Sequence, residues 1–124
     1  MEFNDNQAIY LQIADIFCER ILKKQWQAGE KLPSIRDIAV QVEVNPNTAL
    51  RTFSFLQDKG IIFNKRGIGY FVADDGFKKA LTFLKESFIR EELPKMFNTM
   101  DVLNLRTKDL EQYYETYRQK QKAG

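Results

Sequence analysis

The side chains in this sequence that could do chemistry are hydrogen-bonding groups rather than catalytic ones. Four of them lie close together: Asn45, Asn47, Thr48 and Arg51. An Asn side chain can form two hydrogen bonds to adenine, and an Arg side chain can do the same to guanine. These residue types therefore suit the reading of base edges in a groove of double-stranded DNA.

A second group combines positive charge with a permissive backbone, since Lys65 and Arg66 are followed by Gly67 and Gly69. Cations attract phosphate groups, and glycine lets the backbone approach a ligand closely. No helical pattern follows these glycines, so a dinucleotide-binding loop is not indicated.

Each feature also has a plain alternative when it is taken alone. The Asn45-Pro46-Asn47 run can simply begin a helix, Arg51 can be a solvated surface charge, and the glycines can be turn residues. The order and spacing of the elements therefore have to carry the argument for DNA binding.

The composition excludes several classes of site. Cys18 is the only cysteine and the chain has no histidine. No intramolecular disulfide, no His/Cys metal cluster and no His-based nucleophile pair can form, so we expect no metal, no cofactor and no enzyme. No apolar run approaches the roughly 20 residues that span a bilayer. With a polar N-terminus as well, we expect no membrane association and a cytoplasmic location.

Apolar periodicity predicts three helices and a β-hairpin in residues 1–75. The helices are expected at 8–24, from Ser34 to about 43, and at 46–59, and the strands at 61–65 and 70–73. Ser34 and Asn45 are predicted helix caps. The turn between the second and third helices is very short, so these helices must cross steeply, as in a helix-turn-helix. The fold class is therefore predicted as α+β, a winged helix-turn-helix domain.

Residues 76–124 are predicted to form a two-helix tail after an Asp74-Asp75-Gly76 linker. The first helix is expected to reach 92–97 with a bend at Pro94, the segment 100–105 to be irregular, and the last helix to begin at Thr107. The tail is too small to enclose a metabolite pocket. We expect it to pair with a second copy through its large apolar residues: Phe77, Leu81, Leu84, Phe88, Leu110, Tyr113, Tyr114 and Tyr117. The alternative is that it folds back on the winged domain and covers Phe55.

The charge distribution does not by itself indicate a nucleic-acid partner. The net charge is +2, with nine Lys/Arg against ten Asp/Glu in residues 1–76 and ten against seven in residues 77–124. DNA binding would therefore depend on a few well-placed cations, doubled in a dimer.

Four separated motifs resemble the GntR family of bacterial regulators, and its YtrA-like subfamily in particular. They are Leu-Pro-Ser-x-Arg-Asp-Ile-Ala at 32–39, Val-Asn-Pro-Asn-Thr at 44–48, Lys-Gly-Ile-Ile at 59–62 and Arg-Gly-x-Gly-Tyr-Phe-Val at 66–72. The resemblance implies a homodimeric repressor on an inverted-repeat operator. It implies DNA contacts at Ser34 and Arg36, at the start of the third helix, and at a wing glycine, Gly67 or Gly69.

Two positions depart from the commoner family pattern, because Pro46 and Leu50 stand where arginines are usual; Arg51 can take over the second role. The operator sequence and any small-molecule effector are not given by the sequence. The competing hypothesis is a winged-helix module that binds another protein rather than DNA.

Overall fold

The computed structural model describes residue 3 and residues 7–123. In chain order the elements are α1 (Ile9–Leu22), α2 (Ile35–Gln41), α3 (Pro46–Asp58), β1 (Ile62–Lys65), β2 (Gly69–Val72), α4 (Gly76–Ser87), a π-helical turn (Phe88–Glu92), α5 (Leu93–Leu103) and α6 (Thr107–Ala123). They divide into two compact units, Met1–Lys85 and Glu86–Gly124. The first unit contains the predicted three helices and hairpin, so the predicted winged helix-turn-helix is confirmed. None of the helices in the described ranges is long and apolar enough to cross a membrane.

The core of the first unit is formed by the apolar faces of its helices and the inner face of the hairpin. Phe17 of α1 and Phe53 of α3 are buried and meet edge to face, with ring centroids 5.4 Å apart. Phe53 also meets Tyr70 of β2 at 4.7 Å. Full burial of one such side chain stabilises a fold by about 1.5–3 kcal/mol. These rings therefore fix α3 against both α1 and the wing.

The predicted caps of α2 and α3 are both present. Ser34 Oγ accepts a hydrogen bond from the Asp37 N–H at 3.0 Å, and Asn45 Oδ1 accepts one from the Asn47 N–H at 2.8 Å. Each cap satisfies one N–H group that the first helical turn leaves without an intrahelical partner. The sequence of the helix-turn-helix therefore specifies where both of its helices begin.

The turn between α2 and α3 is closed by a residue in the left-handed conformation. Glu43 has φ 57°, its N–H donates to the Val40 carbonyl at 3.3 Å, and the Val44 N–H donates to the Ala39 carbonyl at 2.9 Å. This pair of bonds is a Schellman motif, in which glycine is the usual left-handed residue. The expected helix end near Glu43 is corrected to Gln41, because this motif reverses the chain two residues earlier.

The wing is an antiparallel hairpin in which Ile62 pairs with Val72 and Lys65 pairs with Gly69. The Ile68 N–H donates to the Lys65 carbonyl at 2.9 Å, and Gly67 has φ 78°. A type II turn requires a positive φ at that third position. The segment before α2 pairs with the outer side of β2, since the Leu32 N–H donates to the Tyr70 carbonyl at 2.8 Å. The wing is thereby tied to the start of the helix-turn-helix.

The expected linker at residues 74–76 is wrong at Gly76, because α4 begins there and packs against the core of the first unit. A methyl group on Gly76 would lie 2.8 Å from Val72 Cγ1 and 2.9 Å from the Ile61 carbonyl oxygen. Ala80 is fully buried, and Phe83 packs against the core. The glycine is therefore required by close packing at the start of a helix rather than by a flexible connection.

The second unit has more helix than expected. The Leu93 N–H donates to the Phe88 carbonyl, five residues earlier, and the chain then continues as α5 to Leu103. Pro94 has no N–H and its ring clashes with the carbonyl four residues before it, and a widened π turn accommodates both defects. The expected irregular segment 100–105 is wrong as far as Leu103. Asn104, with φ 59°, ends α5, and the Leu105 N–H donates to the Met100 carbonyl at 2.8 Å.

Candidate nucleic-acid interface

The outer face of α3 carries the side chains that the sequence singled out for reading bases. Ala49, Thr52, Phe53 and Leu56 are fully buried on the inner face. Asn47 and Arg51 are exposed on the opposite side, and Thr48 is half-buried. Because successive residues of a helix are 100° apart, Asn47, Leu50, Arg51 and Ser54 share this outer face. The helix thus presents a polar strip to solvent while its other side is held by the core.

Arg51 is held by an aromatic ring of another helix. Its guanidinium carbon lies 4.2 Å from the centroid of the Tyr10 ring on α1. Such a cation–π contact restricts a side chain that would otherwise sample many rotamers. Among the described residues, no carboxylate forms an ion pair with Arg51.

Asn45 and Ser34 are exposed but already engaged in the caps described above. The amide of Asn45 keeps its two N–H donors, and the hydroxyl of Ser34 keeps its one O–H donor. Both residues can therefore cap a helix and still donate a hydrogen bond to a phosphate or a base. Arg36 is exposed in the first turn of α2.

On the wing, the two basic residues differ in placement. Lys65 Nζ lies 4.6 Å from the centroid of the Phe71 ring, which stacks on Phe63 at 5.7 Å. The Lys65 ammonium therefore sits over one face of the hairpin rather than at its tip. Arg66 and Gly67 form the exposed turn itself.

The structure brings Gly69 and Ser34 together, which the sequence alone could not show. Both line a cleft of about 350 Å³ between the wing and the start of α2. Lys31 lines the same cleft, and its Cε would lie 3.0 Å from a methyl group on Gly69. Sequence reasoning missed Lys31; the only signal was a basic residue directly before the Leu-Pro-Ser motif.

Three exposed apolar side chains near these residues were not among the predicted contacts. Leu50 on α3 is 45% exposed, Ile68 at the wing tip 59%, and Val40 on α2 73%. An apolar group on a recognition helix can contact the methyl group of thymine. Leu50, on the same face as Asn47 and Arg51, has the placement for such a contact.

The residues predicted to pair with a second copy fall into both units. In the first unit, Phe77 and Leu81 are exposed, whereas Leu84 packs against the core of its own chain. In the second unit, Leu110 is half-buried and the remaining predicted residues are exposed: Phe88, Tyr113, Tyr114 and Tyr117. Three exposed apolar residues of α5 were missed by the sequence reading: Met96, Val102 and Leu103.

The half-buried Phe55, which we expected a folded-back tail to cover, meets Tyr10 at 6.0 Å and Phe83 of α4 at 5.4 Å. Within the first unit, α4 therefore covers it through Phe83.

Possible metal-ligand clusters and the single thiol bear on the chemistry open to the described part of the chain. It contains no group of three or more His, Cys, Asp or Glu side chains that could hold a metal ion. The Cys18 thiol is buried, and burial together with the nearby charges of Asp15 and Glu19 raises its pKa to about 12. A thiol in that state is a packing group rather than a nucleophile.

Comparison with known proteins gives a consistent assignment. Residues 9–72 match the family model of bacterial regulatory proteins of the gntR family. The chain is 36% identical over 116 residues to YhcF of Bacillus subtilis, an uncharacterized HTH-type transcriptional regulator, with 94% of each protein covered. It is 35% identical over 88 residues to the HTH-type transcriptional repressor YtrA of the same organism, covering 71% of this chain and 67% of YtrA. A crystal structure of a GntR-family regulator from Bacteroides thetaiotaomicron is 39% identical and superposes with a TM-score of 0.77 over 92% of this chain and 99% of that one.

These relatives are transcriptional regulators and not enzymes, and the matched residues include the whole helix-turn-helix and its wing. The chain therefore belongs to the GntR family of bacterial regulators and is a transcriptional regulator with a DNA-binding winged helix-turn-helix domain.

Proposed function

We propose that the protein is a homodimeric repressor that binds an inverted-repeat operator in double-stranded DNA. The observation that carries this proposal is the outer face of α3, where Asn47 and Arg51 are exposed on a helix fixed by the core. A recognition helix with this arrangement offers its first residues to base edges in the major groove. Similarity to the repressor YtrA supports repression rather than activation of transcription. An operator-binding protein works on the chromosome, so we place it in the cytoplasm.

We divide the contacts into base-reading and phosphate-binding groups. Asn47, Thr48 and Arg51 read bases, since their side chains lie at or near the outer face of α3. The phosphate contacts come from the exposed donors and cations of α2, the helix-turn-helix turn and the wing: Ser34, Arg36, Asn45, Lys65 and Arg66. Gly67 and Gly69 allow the wing backbone to approach the DNA.

The dimer is supported by apolar surface that one chain leaves exposed. Phe88, Tyr113, Tyr114 and Tyr117 are all more than half exposed on the second unit. Exposed aromatic residues in such number are unusual on a monomer and are typical of an interface. We assign Leu110 to this surface of the second unit, and we propose Phe77 and Leu81, which are exposed on the first unit, as further contacts with the second copy. Leu84 contributes less, because it already packs on its own core.

The test of DNA reading is a selection of bound sequences from a random duplex pool by the purified protein at physiological salt. We expect an enriched inverted repeat. The affinity for the recovered sequence should fall with salt, with a log–log slope of about −0.9 per phosphate neutralised. Arg36→Ala should weaken binding strongly. Lys78→Ala, which removes the same charge from an exposed position on α4, should not. Equal binding by both variants would remove Arg36 from the contact surface.

The test of the dimer is sedimentation equilibrium on the full chain. We expect a dimer that Phe88→Ser combined with Tyr114→Ser dissociates, while Lys120→Ser leaves it intact. A monomeric wild-type protein that selects only single half-sites would overturn the homodimer and keep the DNA-binding assignment.

A second candidate, a winged-helix module that binds a protein, is favoured by two observations. Residues 1–76 carry one more acidic than basic residue. Val40, Leu50 and Ile68 are exposed apolar residues on the candidate surface. The salt response separates the two candidates, because a flat response with no enriched sequence excludes a phosphate-based interface.

A further inference from the structure

Tyr10 of α1 is fixed against α3 by contacts on several sides. Its backbone carbonyl accepts a hydrogen bond from the hydroxyl of Thr52 at 2.9 Å, and Thr52 is fully buried. Its ring and that of Phe55 meet edge to face at a centroid distance of 6.0 Å. Phe55 in turn meets Phe83 of α4 at 5.4 Å. The ring therefore has a defined position on the surface of the recognition helix.

The Arg51 guanidinium lies over that fixed ring, 4.2 Å from its centroid. A cation above a ring face is attracted by the ring's charge distribution and uses no hydrogen bond to hold it. The N–H donors of Arg51 therefore remain for an acceptor such as guanine O6 and N7. Arg51 also lies on the side of α3 opposite the buried residues, where a major-groove ligand would approach.

We infer that Tyr10 is a positioning residue for DNA reading: its ring holds the Arg51 guanidinium in place before DNA arrives and so sharpens recognition of the base pair that Arg51 contacts. This inference rests on the proposed DNA-binding function. An arginine side chain has many rotamers, and fixing it on binding costs affinity. The ring removes part of that cost in the free protein. Tyr10 itself makes no contact with DNA in this scheme.

The size of the effect follows from the strength of an exposed cation–π contact. Such a contact changes an equilibrium constant by about 2.3- to 5-fold. Because a dimer uses two copies, operator affinity should change by about 5- to 25-fold when the ring is removed. The loss should be concentrated at one base pair in each half-site.

The experiment is a double-mutant cycle on Tyr10 and Arg51 in the full chain. Its probe is the duplex recovered from the random-pool selection, alongside duplexes changed at each base pair. We expect Tyr10→Phe, which keeps the ring, to bind within about 2-fold of wild type. Tyr10→Leu should lose about 5- to 25-fold and should discriminate less at the base pair read by Arg51. In an Arg51→Ala background, Tyr10→Leu should cause almost no further loss, because the side chain that Tyr10 positions is gone.

A merely structural role for Tyr10 predicts a different result. Tyr10→Leu would then weaken binding equally in both backgrounds and at all base pairs, and that outcome overturns the inference while the DNA-binding function stands. Urea unfolding of each variant without DNA checks the fold, and Tyr10→Met serves as a second ring-free variant if Tyr10→Leu is unstable. If the wild-type protein selects no DNA sequence, both the proposed function and this inference fall.

Discussion

Asp15 of α1 is a carboxylate that the fold destabilises, and replacing it should stabilise the protein at neutral pH. Among the residues that the structure describes, none hydrogen bonds its buried Oδ1 atom. Burial, with a smaller contribution from the charge of Glu19, raises the pKa of Asp15 from 3.8 to about 6, and a hydrogen bond from Gln7 opposes the rise. Between these two pH values the folded protein holds a proton that the unfolded chain has released.

The sign and size of the effect follow from that difference. A raised carboxyl pKa means that the folded state is destabilised as the pH rises from about 4 to about 6, and the effect is complete above pH 6. The full difference corresponds to about 3 kcal/mol. Because Asp15 is only partly buried, solvent screening reduces the expected value to about 1–2 kcal/mol. Asp15→Asn removes the titration, so it should be more stable than wild type by that amount at pH 7.5 and equal to it at pH 4.

The assay is urea unfolding at pH 4, 5, 6 and 7.5, followed by the fluorescence of Trp26, the only tryptophan and a buried one. The quantity of interest is the difference in unfolding free energy between variant and wild type, because other carboxylates contribute equally to both. Asp74→Asn, at an exposed position, is the matched control and should give a difference that does not vary with pH. A stability difference for Asp15→Asn that is constant across this range, or that favours wild type at pH 7.5, would refute the reasoning.

Three further predictions concern the turn after α2, the aromatic core and the buried thiol. Glu43→Gly should raise the unfolding free energy by about 1 kcal/mol, because glycine has no steric cost in the left-handed conformation. Glu43→Ala should give no gain, and equal stability of the two variants would contradict the prediction. Phe53→Ala should lower the unfolding free energy, measured by thermal unfolding, by about 3–5 kcal/mol, since the ring is fully buried. Val40→Ala, at an exposed site, should change it little. A small loss of stability for Phe53→Ala would mean that the core collapses around the cavity. The Cys18 thiol should react with an aromatic disulfide reagent at pH 8 only as fast as the protein unfolds, because its pKa is raised to about 12; rapid stoichiometric reaction of the native protein would show an accessible thiolate.

Features of the fold that depend on neighbouring residues were predictable from the sequence. The caps at Ser34 and Asn45, and the end of α3 before Gly60, follow from side chains and conformations that act within a few residues. The order of helices and hairpin follows from apolar periodicity. The residues of α3 that face solvent follow from the same period.

Features that depend on distant contacts were not predictable. Nothing local indicates that Gly76 must fit against Ile61 and Val72, so a linker was expected where α4 begins. Pro94 predicted a bend in the helix, but the sequence alone does not show whether the helix bends by a simple kink or by a π turn before the proline. In the candidate site, Arg51 lies over the ring of Tyr10, which belongs to a different helix.

The residues in the left-handed conformation at several helix ends bear on how the sequence of this protein can evolve. Lys24, Glu43 and Asn104 occupy this conformation in the described part of the chain, and only Gly60 among the corresponding helix ends is a glycine. Glycine in place of Lys24 or Glu43 should add stability without altering the core, so the chain lies below the stability that its fold could reach. Most point mutations destabilise the domain that carries them, and mutations of a recognition helix are no exception. Glycine substitutions at Lys24 and Glu43 are therefore available to offset such losses while the recognition helix acquires a new sequence preference.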